Sequence, residues 1–92
     1  MIEIKDIHGK LLATIDAETL EFADLSGLDL SYADLRGANL DHAILYETNF
    51  EFADLRDANL RHAKTFNTAF GGASLEGASR KPRPAIRAPW LQ

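Results

Sequence analysis

Residues 33–42 read ADLRGANLDH and residues 53–62 read ADLRDANLRH, identical at eight of ten positions and 20 residues apart. Inside each decapeptide a shorter unit repeats, Ala-(Asp/Asn)-Leu-x-x. Working outward, Leu or Phe recurs at 20, 25, 30, 35, 40, 45, 50, 55, 60, 70 and 75, with Ile15 before them and Thr65 as the interruption. Two residues earlier lies a small residue in most copies: Ala13, Ala23, Ala33, Ala38, Ala43, Ala53, Ala58, Ala63, Ala73 and Ala78, with Thr48 and Thr68 also fitting and Glu18 and Leu28 the exceptions. The unit persists for about 13 copies, so the repeat decides the fold before any element is assigned.

A period of five suits neither standard element. At about 100° per residue an α-helix would turn successive leucines by ~140° and smear them around its axis. A flat strand would send alternate leucines to opposite faces. A chain that turns a corner every five residues keeps each Leu, and the small residue two before it, inside. The 20-residue echo then implies four pentads per coil, with Phe50 stacked on Phe70 and Thr48 on Thr68. The expected core is Leu25, Leu30, Leu35, Leu40, Leu45, Phe50, Leu55, Leu60, Phe70 and Leu75.

The pentads Ala33-Asp34-Leu35-Arg36-Gly37, Ala38-Asn39-Leu40-Asp41-His42 and Ala53-Asp54-Leu55-Arg56-Asp57 resemble the motif of the pentapeptide-repeat family. The resemblance covers about residues 13–78. It implies an all-β fold, a right-handed quadrilateral parallel β-helix of about three coils. Corner residues divide by type. Gly27, Gly37, Glu47, Asp57, Asn67 and Gly77 mostly tolerate the positive φ of a type II turn, whereas Phe22, Tyr32, His42, Phe52 and His62 are bulky. Two corner types on alternating faces are therefore expected, with Glu47 the poor fit.

Three segments follow. Residues 1–12 form a β-hairpin cap running into the first coil, because Ile2 and Ile4 alternate with charges, as do Leu11, Ala13 and Ile15 beyond the turn at His8 and Gly9. Residues 13–79 are the repeat. Residues 80–92 form a Pro-containing tail in which Ile86, Trp90 and Leu91 are capping or dimer contacts. Each such side chain gains roughly 1.5–3 kcal/mol by leaving water. The tail covers the last coil, packs on an outer face, or crosses to a second subunit. Docking is favoured, since residues 1–79 hold 6 basic and 14 acidic residues while residues 80–92 add only 4 basic ones.

Composition narrows the function. There is no cysteine, and no apolar run has the length of a membrane span. A cytoplasmic protein without a membrane partner is expected. No phosphate loop or catalytic triad motif occurs, and acids placed by register give no reason to single out an acid–base pair. No enzyme activity, cofactor or metal is expected. His42 and His62 share a column, but a structural zinc ion needs third and fourth ligands that the spacing does not reveal.

The unusual outward feature is apolar. Ile44 stands where Asp or Asn is usual, Tyr46 and Phe66 share the next column, and His42 and His62 adjoin them. These five residues are the candidate interaction face of a protein-binding or scaffold module, its partner an unidentified protein, with a homodimer through the C-terminal end also expected. The alternative is a DNA mimic, because some members of the resembled family imitate duplex DNA and bind DNA gyrase. Three coils, however, give a rod only about 15 Å tall, room for about nine phosphates. Arg36 and Arg56 also interrupt its acidic surface. The four tail cations beside an acidic body make direct nucleic-acid binding a poor reading.

Overall fold

The computed structural model describes residues 1–80, so the expected contacts of Ile86, Trp90 and Leu91 lie outside the described residues. The described chain is all-β, with no helix. From residue 20 onward it climbs by parallel bridges between residues 20 apart. Asp24 pairs with Ile44 and Ile44 with Lys64, and equivalent ladders run through Asp29–Asn49–Ala69, Asp34–Asp54–Ser74 and Asn39–Asn59–Ser79. Each rung makes the two bonds of a parallel pair: Ile44 N–H donates to the Ala23 carbonyl at 2.8 Å, and the Ile44 carbonyl accepts from Leu25 N–H at 2.9 Å. The chain pairs with itself rather than with a partner strand, so each coil satisfies the backbone of the one before.

Between rungs the chain turns by one device throughout. The N–H of the small residue donates to the carbonyl of the central residue three earlier, as Ala23 does to Leu20 and Ala58 to Leu55. The residue before the small one has positive φ at each corner from Phe22 (61°) to Gly77 (76°), including Tyr32, His42, Glu47, Phe52, Asp57, His62 and Asn67. Positive φ at the third residue of a four-residue turn is the mark of type II. The expectation of two corner types is therefore wrong. A left-handed non-glycine residue costs roughly 1–2 kcal/mol, but here its N–H is fixed by a ladder bond to the next coil. Phe22 donates to Asp41, His42 to Arg61, and Phe52 to Gly71, each at 2.9 Å. The ladder dictates the corner, and bulky residues follow it.

The Asp/Asn preference has its own cause. At a corner, the residue after the central Leu points its N–H away from the ladder. The carboxylate or amide two residues earlier accepts it: Ser26 donates to Asp24, Asp41 to Asn39, Glu51 to Asn49 and Arg61 to Asn59. Such Asx caps favour a turn over a continuing strand.

Inside, Leu25, Leu30, Leu40, Leu45, Phe50 and Leu55 are fully buried, and Leu35 and Leu60 nearly so. Phe50 and Phe70 stack at 5.6 Å. Phe70 and Leu75 are only partly buried, because among the described residues no further coil stacks on theirs. Thr48 replaces alanine without cost to the core, since its hydroxyl donates to the Leu25 carbonyl at 2.8 Å.

At the front, β1 (Ile2–Lys5) pairs antiparallel with β2 (Leu11–Ile15). The Asp6 carboxylate accepts from His8 N–H and Lys10 N–H to shape the turn. A bulge between Ile4 and Lys5 shifts the register and leaves Leu12 as the extra residue. Leu11 is consequently exposed and Leu12 packs against the core, a reversal of the expected alternation at that position. Lys5 carbonyl accepts from Asp34 N–H, Ile7 N–H donates to the Tyr32 carbonyl, and Ile4 is buried among the leucines. The hairpin thus occupies the edge that a preceding coil would otherwise pair with.

Candidate interaction surface

The outer surface sorts into columns because residues 20 apart stack. One corner column holds Phe22, His42 and His62, stacked at 4.6 Å and 4.3 Å between ring centroids. Another holds Tyr32 and Phe52, stacked at 5.2 Å. That column ends at Gly72, where a Cβ would lie 2.6 Å from the Phe52 ring. The ring covers the glycine as it would cover an aromatic neighbour.

Ile44 lies on the rung between the corner of His42 and His62 and the column of Tyr46 and Phe66. Ile44 is half-buried on the ladder between Asp24 and Lys64. Tyr46 is 41% exposed and Phe66 69% exposed. The two share a column, with Glu47 N–H donating to the Phe66 carbonyl, but their rings are not among the stacked pairs of the described residues. Ile44 and Lys64 have no oxygen to offer the N–H groups of Tyr46 and Phe66. The face therefore lacks the caps that the pentads led by Asp29, Asp34, Asn39, Asn49, Asp54 and Asn59 possess. Thr65, at a core register position, is exposed. A hollow of about 320 Å³ lined by Leu60, Ala63, Thr65, Phe70 and Arg80 opens beside it at the last described coil.

Two acids of another ladder are paired with arginine. Arg36 makes a two-pronged pair with Asp34 at 2.8 and 2.9 Å, and Arg56 with Asp54 at 2.8 and 2.6 Å. The Arg56 guanidinium holds the Asp54 carboxyl down to about 2. Hydrogen bonds from Ser26 and Ser31 lower Asp24 and Asp29, and Arg36 lowers Asp34. Carboxyls held ionised in this way have no proton to deliver near neutrality.

The sequence reading did not single out Asp41. Its Oδ1 accepts from His62 Nδ1 at 2.9 Å and lies 3.2 Å from His42 Nδ1, so one carboxylate oxygen faces both imidazoles. His62 acts first in holding Asp41 below the usual carboxylate range. The signal was present, as Asp41 directly precedes His42, but its direction depends on how the corner turns.

Comparison with known proteins agrees with this architecture. The family of pentapeptide repeats matches residues 23–61 in 8 copies. A crystal structure of a pentapeptide repeat protein (Rfr23) from the cyanobacterium Cyanothece 51142 superposes with a TM-score of 0.66 at 33% identity. The match covers 67% of this chain and 43% of that one, so the chain spans less than half of that protein's length. No curated protein matches the chain. Among the described residues no helix is long and apolar enough to cross a membrane.

Proposed function

Because this chain belongs to the pentapeptide-repeat family, we propose that it is a non-catalytic protein-interaction or scaffold module. Its binding face is Ile44, Tyr46 and Phe66, flanked by His42 and His62. The fold that presents this face is a right-handed four-sided coil of about three turns behind the hairpin. The observation that carries the reading is the pairing of large exposed rings at Tyr46 and Phe66 with two successive rungs, Ile44 and Lys64, that offer no capping oxygen. Exposed aromatics at a partly desolvated site supply contact area at low entropic cost. A cytoplasmic setting and a homodimer through the C-terminal end accompany this proposal.

DNA mimicry ranks below it, since Arg36 and Arg56 neutralise the acids of their column. The test is a pull-down with the wild type and Tyr46→Ser/Phe66→Ser, alongside Phe52→Asn from another column. A partner retained by the wild type and Phe52→Asn but lost at least about tenfold by the double variant supports the face. Equal capture by all three overturns it.

A further inference from the structure

Two exposed histidines one coil apart are unremarkable alone, but their surroundings here are specific. Both residues have positive φ, 60° for His42 and 59° for His62, and His42 N–H donates to the Arg61 carbonyl at 2.9 Å. Their rings stack at 4.3 Å, and Phe22 stacks on the other side of His42. Both Nδ1 atoms then lie within 3.2 Å of Asp41 Oδ1. That oxygen accepts a hydrogen bond from His62 at 2.9 Å, whereas His42 at 3.2 Å is out of line for one. His42 Nδ1 is shielded from solvent and left without a hydrogen-bond partner. A shielded polar atom without a partner calls for an explanation, such as an ion that belongs there.

The donor types suit an ion once one ring turns out of the stack, because the in-plane lone pairs of two near-parallel rings do not meet at one point. Zinc binds imidazole nitrogen and carboxylate oxygen at about 2.0–2.2 Å, so neighbouring ligands of a tetrahedral ion stand about 3.3 Å apart. The Asp41–His62 and Asp41–His42 separations are 2.9 and 3.2 Å, and all three ligand atoms lie within 4.8 Å of one another. Two neutral imidazoles and a carboxylate form a donor set for zinc, nickel or copper rather than for calcium or magnesium. We propose that Asp41 Oδ1, His42 Nδ1 and His62 Nδ1 form a three-ligand site for a divalent transition-metal ion of the zinc class, with solvent completing the shell. On binding, the His62 proton moves from Nδ1 to Nε2, and the ion takes its place at Nδ1 and gives His42 Nδ1 the partner it lacks. Arg61 stands in the column of Asp41 one coil on, and its charge opposes a cation, so the site is a modest one.

The test is calorimetric titration of the full chain with zinc chloride near neutral pH, with ring nitrogen NMR shifts as a second readout. Asn tolerates the left-handed conformation at these corners, so His42→Asn and His62→Asn keep the fold while removing a ligand, and Asp41→Asn removes the third. His8→Gln controls for the remaining histidine. One equivalent bound by the wild type and His8→Gln, with affinity reduced on the order of tenfold or more in the three site variants, and with both Nδ1 resonances shifted by zinc, supports the site. An absence of binding by the wild type, or binding that survives His62→Asn, overturns it.

Discussion

The Thr48 hydroxyl donates to the Leu25 carbonyl 2.8 Å away, so a single side chain ties two successive coils together inside the core. Thr68 repeats the contact one coil on, to the Leu45 carbonyl. The same carbonyls already accept the turn N–H groups of Leu28 and Thr48. The hydroxyls use their second lone pairs, which an alanine would leave idle.

Replacing that hydroxyl by a methyl isolates its worth. Thr48→Val keeps the volume, removes one hydrogen bond, and is expected to lower unfolding free energy by about 1 kcal/mol. Thr48→Ser keeps the bond and loses only a methyl. Urea denaturation followed by circular dichroism separates them. A Val variant as stable as the wild type would show that the bond contributes nothing.

Glu47 is a corner residue with φ at 60° and no ring to stack. Glu47→Gly relieves a left-handed strain of roughly 1–2 kcal/mol and gives part of it back in unfolded-chain entropy. A net gain of about 0.5–1 kcal/mol is expected. Thermal denaturation checks it, and a lower melting temperature would contradict it.

The cap at Asn49 accepts from Glu51 N–H at 2.8 Å. Asn49→Ala strips that acceptor from an exposed corner and is expected to cost about 0.5–1.5 kcal/mol. Ile44→Ala changes a rung with no such cap and is expected to leave amide exchange at Tyr46 unaltered. Faster exchange at Glu51 in the Asn49 variant, read by NMR, is the specific signature.

Acid should loosen the coil within a defined window. Asp54 ordinarily titrates near 3.8 and is held to about 2 by Arg56. Its folded pKa is depressed, so its contribution is present above the ordinary value and is lost as pH falls toward 2. Asp54→Asn is expected to flatten stability against pH between about 4 and 2 and to lower it modestly at pH 7, where the pair's contribution is present but screened by solvent. Acid titrations of both proteins monitored by circular dichroism decide it, and identical curves would exclude Asp54 as a source of the slope.

The sequence by itself determined the solenoid. A five-residue period with a 20-residue echo has few solutions that bury one leucine per unit, and the stacking of Phe50 on Phe70 followed from it. Burial is what such a repeat encodes, so the core from Leu25 to Leu60 was legible. Corner geometry was not, because it is fixed by ladder bonds between residues about 20 apart, which override the local preference of Phe22, Tyr32 or His42. The bulge that turns Leu11 outward arises from pairing register in the same way. Asp41 joins His42 and His62 only once successive coils bring their side chains to one corner. Periodicity sets what is buried, whereas the direction of each outward side chain depends on backbone bonds made far along the chain.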